Sequence, residues 1–187
     1  MKSGKLNDKL LYLRLTKKDK EAFVRTYDLY FDQIYRFVYF KVSSKEEAED
    51  LTSVVFLKTW GHVQNKSIKD HKTLKALLYK VARNSVIDHY RKKSSQIEKV
   101  SLDSSTSEIE LPDNSQDIHK NIEIADDYSQ IKDKLLELKE EYRELIVMRY
   151  VNELSIKEIA LSLNKSRGNV RVTLYRALKA LRTIVKE

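Results

Sequence analysis

LSIKEIALSLNKSRGNVRVTLYRALKALR, residues 154–182, is the stretch on which the reading of this chain turns. Ser155 and Glu158 have capping-box spacing, in which each side chain satisfies a free amide of the other residue at a helix start. The helix they open carries Ile156, Ile159, Ala160 and Leu163 on one face. Asn164 and Lys165 then make a tight turn, because Asn tolerates the left-handed backbone that such turns need. Ser166 can cap the next helix, whose inward stripe is Val170, Leu174, Ala177 and Leu181. A short helix, a tight turn and a longer basic helix are the pattern of a helix-turn-helix. Ala160 fits it physically, since two helices that cross closely leave no room for a larger side chain there. The second helix turns Arg167, Asn169, Arg171, Tyr175 and Arg176 outward. Arg can read a guanine edge bidentately and Asn an adenine edge. Gly168 adds no side chain and lets DNA approach the backbone. A plain helical hairpin in a bundle would share the spacing. The coincidence of caps, turn, small crossing residue and basic face favours DNA.

Composition sets the frame around this motif. The 187 residues include only 3 Gly, 1 Pro and no Cys. Sheets of this length need many turns, which draw on Gly and Pro, so scarcity of both favours an all-α fold. The lack of thiols excludes disulfides and cysteine zinc sites and fits a reducing compartment. No stretch approaches the roughly 20 apolar residues of a membrane span, and the N-terminus has no secretory pattern, so a cytoplasmic protein without membrane insertion is expected.

Charge divides the chain into three. Residues 1–93 carry a balance of +10, residues 94–127 one of −7, and residues 128–187 one of +5. Two basic blocks therefore flank an acidic, Ser-rich segment that holds Pro112, the single proline. The segment reads as a flexible linker with little core of its own. The expected architecture is two small helical domains, 1–93 and 128–187, joined by that linker.

The first block repeats helical periods. Thr16 or Asp19 can cap a helix in which Phe23, Tyr27, Tyr30, Ile34 and Phe37 share one face. Ser44 and Glu47 open a second helix, which runs through Trp60 with Gly61 placed as its C-terminal cap. Ala48, Leu51, Val54 and Val55 can face inward there, leaving Phe56 and Leu57 to point elsewhere. This excess of apolar surface marks either a partner site or a face that another helix covers. A third helix carries Leu74, Leu77, Leu78, Val81 and Ser85 inward. Lys80, Asn84, Asp88 and Arg91 form its polar stripe, and Arg83, His89, Lys92 and Lys93 add positive charge.

Catalytic chemistry has little support. His62, His71, His89 and His119 show no metal-ligand spacing. No phosphate-binding loop or carboxylate cluster suggests a nuclease or hydrolase. No catalytic residue, metal, cofactor or small-molecule substrate is expected.

Together the blocks resemble the sigma-70 family, in particular its extracytoplasmic-function (ECF) type. EAEDLTSVVFLKTW (47–60) is similar to the family's region 2.2 and LKALLYKVARNSVIDHYRKK (74–93) to regions 2.3 and 2.4. The C-terminal block resembles region 4, including EIA, S-x-G-x-V and RAL-x-x-LR. The resemblance implies a sigma factor that binds core RNA polymerase through its clamp helices and flap, reads −35 and −10 elements of promoter DNA and assists melting. It places Asp50, Leu51, Val54, Phe56 and Leu57 on the polymerase-docking helix. It places Lys80, Arg83, Asn84, Asp88 and Arg91 before the −10 element, and Ser166, Arg167, Asn169, Arg171, Tyr175 and Arg176 before the −35 element. The polar stretch 61–72 would match a loop that captures a flipped base. An anti-sigma factor is a further implied partner. Ser53 and Val54 stand where Gln and Glu are usual, Leu77 replaces an aromatic residue, and Asn164 replaces a turn Gly. The alternative is a helix-turn-helix regulator that never joins polymerase, which leaves the apolar surface of the second helix unexplained.

Overall fold

A computed structural model of the chain describes residues 3–65, 74–100 and 131–186. Every regular element among them is helical. The first module contains α1 (Ser3–Thr16), α2 (Lys20–Tyr39), α3 (Lys45–Gln64) and α4 (Leu74–Val100). The second contains α5 (131–136), α6 (Glu140–Ile146), α7 (Ile156–Leu163) and α8 (Arg167–Lys186). Most of the acidic segment, including Pro112, and most of the polar stretch 61–72 lie outside the described residues.

Local sequence sets the helix starts. Asp19 caps α2 by accepting the Ala22 amide at 3.2 Å, and Arg14 of α1 donates to the same carboxylate at 2.6 Å. Ser44 caps α3 by accepting the Glu47 amide, while Glu47 accepts the Ser43 amide. Helix α1, which was not foreseen, buries Leu11 and Leu15 in the core of the first module. Two helix ends differ from expectation. Helix α3 runs past Gly61 and stops at Asn65, so Gly61 is a helical residue and not the cap. Helix α4 continues to Val100, seven residues beyond the boundary expected at 93.

The core of the first module is aromatic. Phe56 sits between Tyr27 and Phe31, with ring centroids 4.9 and 6.3 Å away. Phe23 packs on Trp60 at 5.1 Å, and Phe37 meets Tyr79 edge-on at 5.2 Å. Such tilted and edge-to-face pairs suit the ring quadrupoles and add to plain burial. The inward face of α3 is Ala48, Thr52, Val55, Phe56, Thr59 and Val63. Thr52 and Thr59 are tolerated there because each hydroxyl donates to the carbonyl four residues back, at 2.6 and 2.7 Å. This corrects the phase read from sequence: Phe56 is buried and Val54 is exposed.

The second module is built around Leu135, Leu138, Leu145, Ile159, Val170 and Ala177. Between α6 and α7 the backbone widens into a π-helical turn, Val147–Val151. Ser155 and Glu158 form the full capping box, and Asn164 adopts φ 52°, ψ 43° as the left-handed cap of α7. Ala160 is buried at the crossing. The two modules pack against each other across α2, α4, α6 and α7. Asn152 donates to the Gln33 carbonyl at 3.0 Å and accepts from Arg36 Nε at 3.2 Å.

Phe56 is 1% exposed and Leu57 is 64% exposed, which separates their energetic roles. Phe56→Ala should lower unfolding free energy by about 3–5 kcal/mol through the cavity it leaves. Leu57→Ala should change it by less than about 0.5 kcal/mol. Denaturant titration of the two variants checks this pair, and equal losses would contradict the observed helix phase.

Candidate nucleic-acid and protein interface

The six residues expected before the −35 element stand at the start of α8. Ser166, Arg167, Asn169, Arg171, Tyr175 and Arg176 are all exposed on the N-terminal half of α8. Their presentation follows from the helix phase, since Val170, Leu174 and Ala177 are buried on the opposite side. Ser166 accepts the Asn169 amide at 3.1 Å and so fixes the helix start. A Cβ at Gly168 would touch only the Ser166 hydroxyl, at 3.9 Å, so packing does not demand glycine there. Lys165 pairs with Glu141 of α6, which ties the turn to the rest of the module.

Helix α4 presents a second polar face. Lys80, Asn84 and Arg91 are exposed at steps of four and seven. Asp88 lies between them, 3.4 Å from Arg91 and 3.7 Å from Lys58 of α3. A bare carboxylate would repel a phosphate backbone, and this one is paired with both cations. Arg83 departs from the set: its Nε lies 3.3 Å from the Glu144 carboxylate of the second module. That contact joins residues 61 apart in sequence, and nothing local to either residue signals it.

On α3, Asp50, Val54 and Leu57 are exposed and Leu51 is half-buried. Phe56 does not join them, because its ring is enclosed by Tyr27 and Phe31. The outward stripe therefore consists of Asp50, Val54 and Leu57, with Ser53 beside them.

One cluster escaped the sequence reading. Glu47 at the start of α3 accepts from Lys93 at 2.8 Å and lies 3.5 Å from His89 Nε2. It fastens the basic C-terminal part of α4 to α3, so Lys93, read from sequence only as general positive charge, has a structural partner. The Lys93 hydrogen bond, with the Ser43 amide beside it, pulls the Glu47 carboxyl down to about 2.

Comparison with known proteins gives the family. A family model described as Sigma-70 region 2 matches residues 26–96, and one described as Sigma-70, region 4 matches residues 128–181. ECF RNA polymerase sigma factor SigW of Bacillus subtilis (strain 168) is 29% identical over 187 residues, which cover 93% of this chain and 94% of that protein. ECF RNA polymerase sigma factor SigM of the same strain is 30% identical, covering 84% and 91%. Among solved structures, CnrH in complex with the cytosolic domain of CnrY superposes with a TM-score of 0.70 at 17% identity, covering 96% of this chain and 97% of that one. RpoE in complex with the anti-sigma factor NepR from Bartonella quintana gives 0.64 at 21% identity, covering 88% and 96%. At such identities these two likenesses speak for the fold alone. The chain belongs to the sigma-70 family of RNA polymerase sigma factors, in its ECF group. As such it is an initiation factor that binds polymerase and directs it to promoters.

Glu47 gives a pH test of the α3–α4 fastening. Its folded carboxyl titrates below the ordinary 4.5, so its contribution is fully present above that value and is lost as pH falls towards about 2. Glu47→Gln should destabilise the chain at neutral pH. The difference from the unmodified chain should shrink between about pH 5 and pH 2 in denaturant unfolding. A difference that stays constant over that range would dissociate Glu47 from the fastening.

Proposed function

We propose that the three exposed faces divide the work of initiation among them. The α3 stripe of Asp50, Leu51, Val54 and Leu57 docks on the clamp helices of core polymerase. Phe56 supports that stripe from behind and does not touch the partner. Helix α4 offers Lys80, Asn84, Arg91 and, once freed, Arg83 to the −10 element. Asp88 orients Arg91 and Lys58. Helix α8 reads the −35 element with Arg167, Asn169, Arg171, Tyr175 and Arg176, while Ser166 and the helix N-terminus hold phosphate.

The observation that carries this reading is the six-residue set on α8. All six are exposed, on a capped helix that follows a left-handed Asn turn. The docking assignment draws on apolar exposure: Val54 is 37% and Leu57 64% exposed on a helix that the core does not need on that side.

The function asks for binding and not for bond chemistry, and we propose no catalytic role for any residue. Strand opening would be driven by capture of unstacked bases, without ATP. No helix of the described residues is long and apolar enough to cross a membrane. We place the protein in the cytoplasm, with its DNA and polymerase. The RpoE homologue is seen with an anti-sigma factor, and we propose the same class of regulator here.

Run-off transcription with core polymerase on a promoter library tests the whole assignment. Transcription from no double-stranded template would overturn it. Arg171→Ala and Arg176→Ala should each weaken promoter binding by about 1–3 kcal/mol if they contact bases. Footprinting should then show lost protection at the −35 element. Leu57→Asp should block holoenzyme assembly while leaving the circular dichroism spectrum of the full chain unchanged, and normal assembly would remove the docking face.

A further inference from the structure

We infer that Lys41 and Arg83 of the first module and Glu144 of the second form a charge latch, which holds the modules together in the free protein and withholds Arg83 from DNA. The Arg83 clause rests on the −10 role proposed above; the latch itself does not.

The geometry is specific. Lys41 Nζ lies 3.1 Å from Glu144 and 3.1 Å from Glu140. Both carboxylates stand on α6, one turn apart. The Lys41 and Glu144 side chains are 4% and 5% exposed, a depth at which ionised groups almost always have partners. Arg83 Nε lies 3.3 Å from the same Glu144 carboxylate. Lys132 Nζ sits 4.1 Å from the centre of the Tyr39 ring, and Asn152 links to α2. Every one of these contacts joins the first module to the second.

A buried ion pair suits a latch better than a weld. Taking each charge out of water is costly, and the mutual attraction offsets that cost only while the geometry is kept. The net contribution is therefore small, but partial displacement is unfavourable. The modules are either seated or apart. A groove of about 520 Å³ lined by Val42, Ile87, Tyr90, Leu136 and Arg143 lies between them beside the cluster, so water can reach this edge of the junction.

Opening is required by length. Elements named for positions 35 and 10 lie about 25 base pairs apart, or roughly 85 Å along B-form DNA at 3.4 Å per pair. A compact chain of this size has a radius of gyration of about 16 Å and is roughly 40 Å across. The seated form cannot touch both elements at once. The thirty residues between Val100 and Ile131 can reach at most about 100 Å, enough for the open form. In the seated form Glu144 holds Arg83 as a phosphate would, so promoter and second module compete for one guanidinium.

The full chain lacks cysteine, so thiols introduced at exposed Asp28 on α2 and Lys179 on α8 can carry a donor and an acceptor dye. The unmodified pair should show high transfer in the free protein. Glu144→Gln, which keeps the shape and removes the charge, should lower transfer and raise the association rate with core polymerase several-fold. Lys41→Met, which takes from buried Glu144 and exposed Glu140 the cation they share, should do the same. Both variants should keep the helical circular dichroism of the parent, since the groups lie at the junction. Unchanged transfer in both variants would overturn the latch. Arg83→Ala should lower transfer less and, in assembled holoenzyme, lose protection at the −10 element. If the −10 footprint survives while Glu144→Gln opens the chain, the latch stands and the competition for Arg83 is refuted.

Discussion

The contact of Phe56 with Tyr27 and Phe31 fixes the rotation of α3, and much of the first module's outer surface follows from that one angle. With the ring held inward, the period of 3.6 residues sends Asp50, Val54 and Leu57 to the opposite side. Thr52 and Thr59 can then share the core only because their hydroxyls fold back on the helix. A different rotation would bury Leu57 and expose Phe56, and the helix would lose both its anchor and its outward stripe.

The second module obeys a different logic, in which local chemistry settles nearly everything. The Ser155–Glu158 box, the left-handed Asn164 and the Ser166 cap each act within a few residues, and all three were legible in the sequence. The phase of α8 followed, and with it the outward residues. The phase of α3 was not legible, because that helix has more apolar positions than one stripe and hides two threonines in the core. Sequence assigned Phe56 to the surface for the same reason. Helix α1 escaped because its outward Leu10 and Leu13 blur the stripe that Leu11 and Leu15 make. The π-helical turn escaped because it is a backbone choice without a side-chain signature.

Contacts between distant residues were the least legible. Lys41 with Glu144, Arg83 with Glu144, and Glu47 with Lys93 join positions separated by 46 to 103 residues. In sequence each of these groups is one charge among many on a polar helix. Only the three-dimensional arrangement separates a solvated lysine from one whose ammonium is enclosed by two carboxylates. Of the 36 Lys and Arg side chains, several are therefore already engaged within the protein.

Ser166 illustrates how a single hydroxyl serves two masters. One lone pair is taken by the Asn169 amide at the start of α8. The hydroxyl can still donate its own proton on the exposed side of the turn. A hydroxyl polarised in this way donates more readily than a free serine, because accepting one hydrogen bond strengthens the next in the chain. The residue that begins the helix thus keeps a rotatable donor at an exposed turn, chemistry suited to an anion.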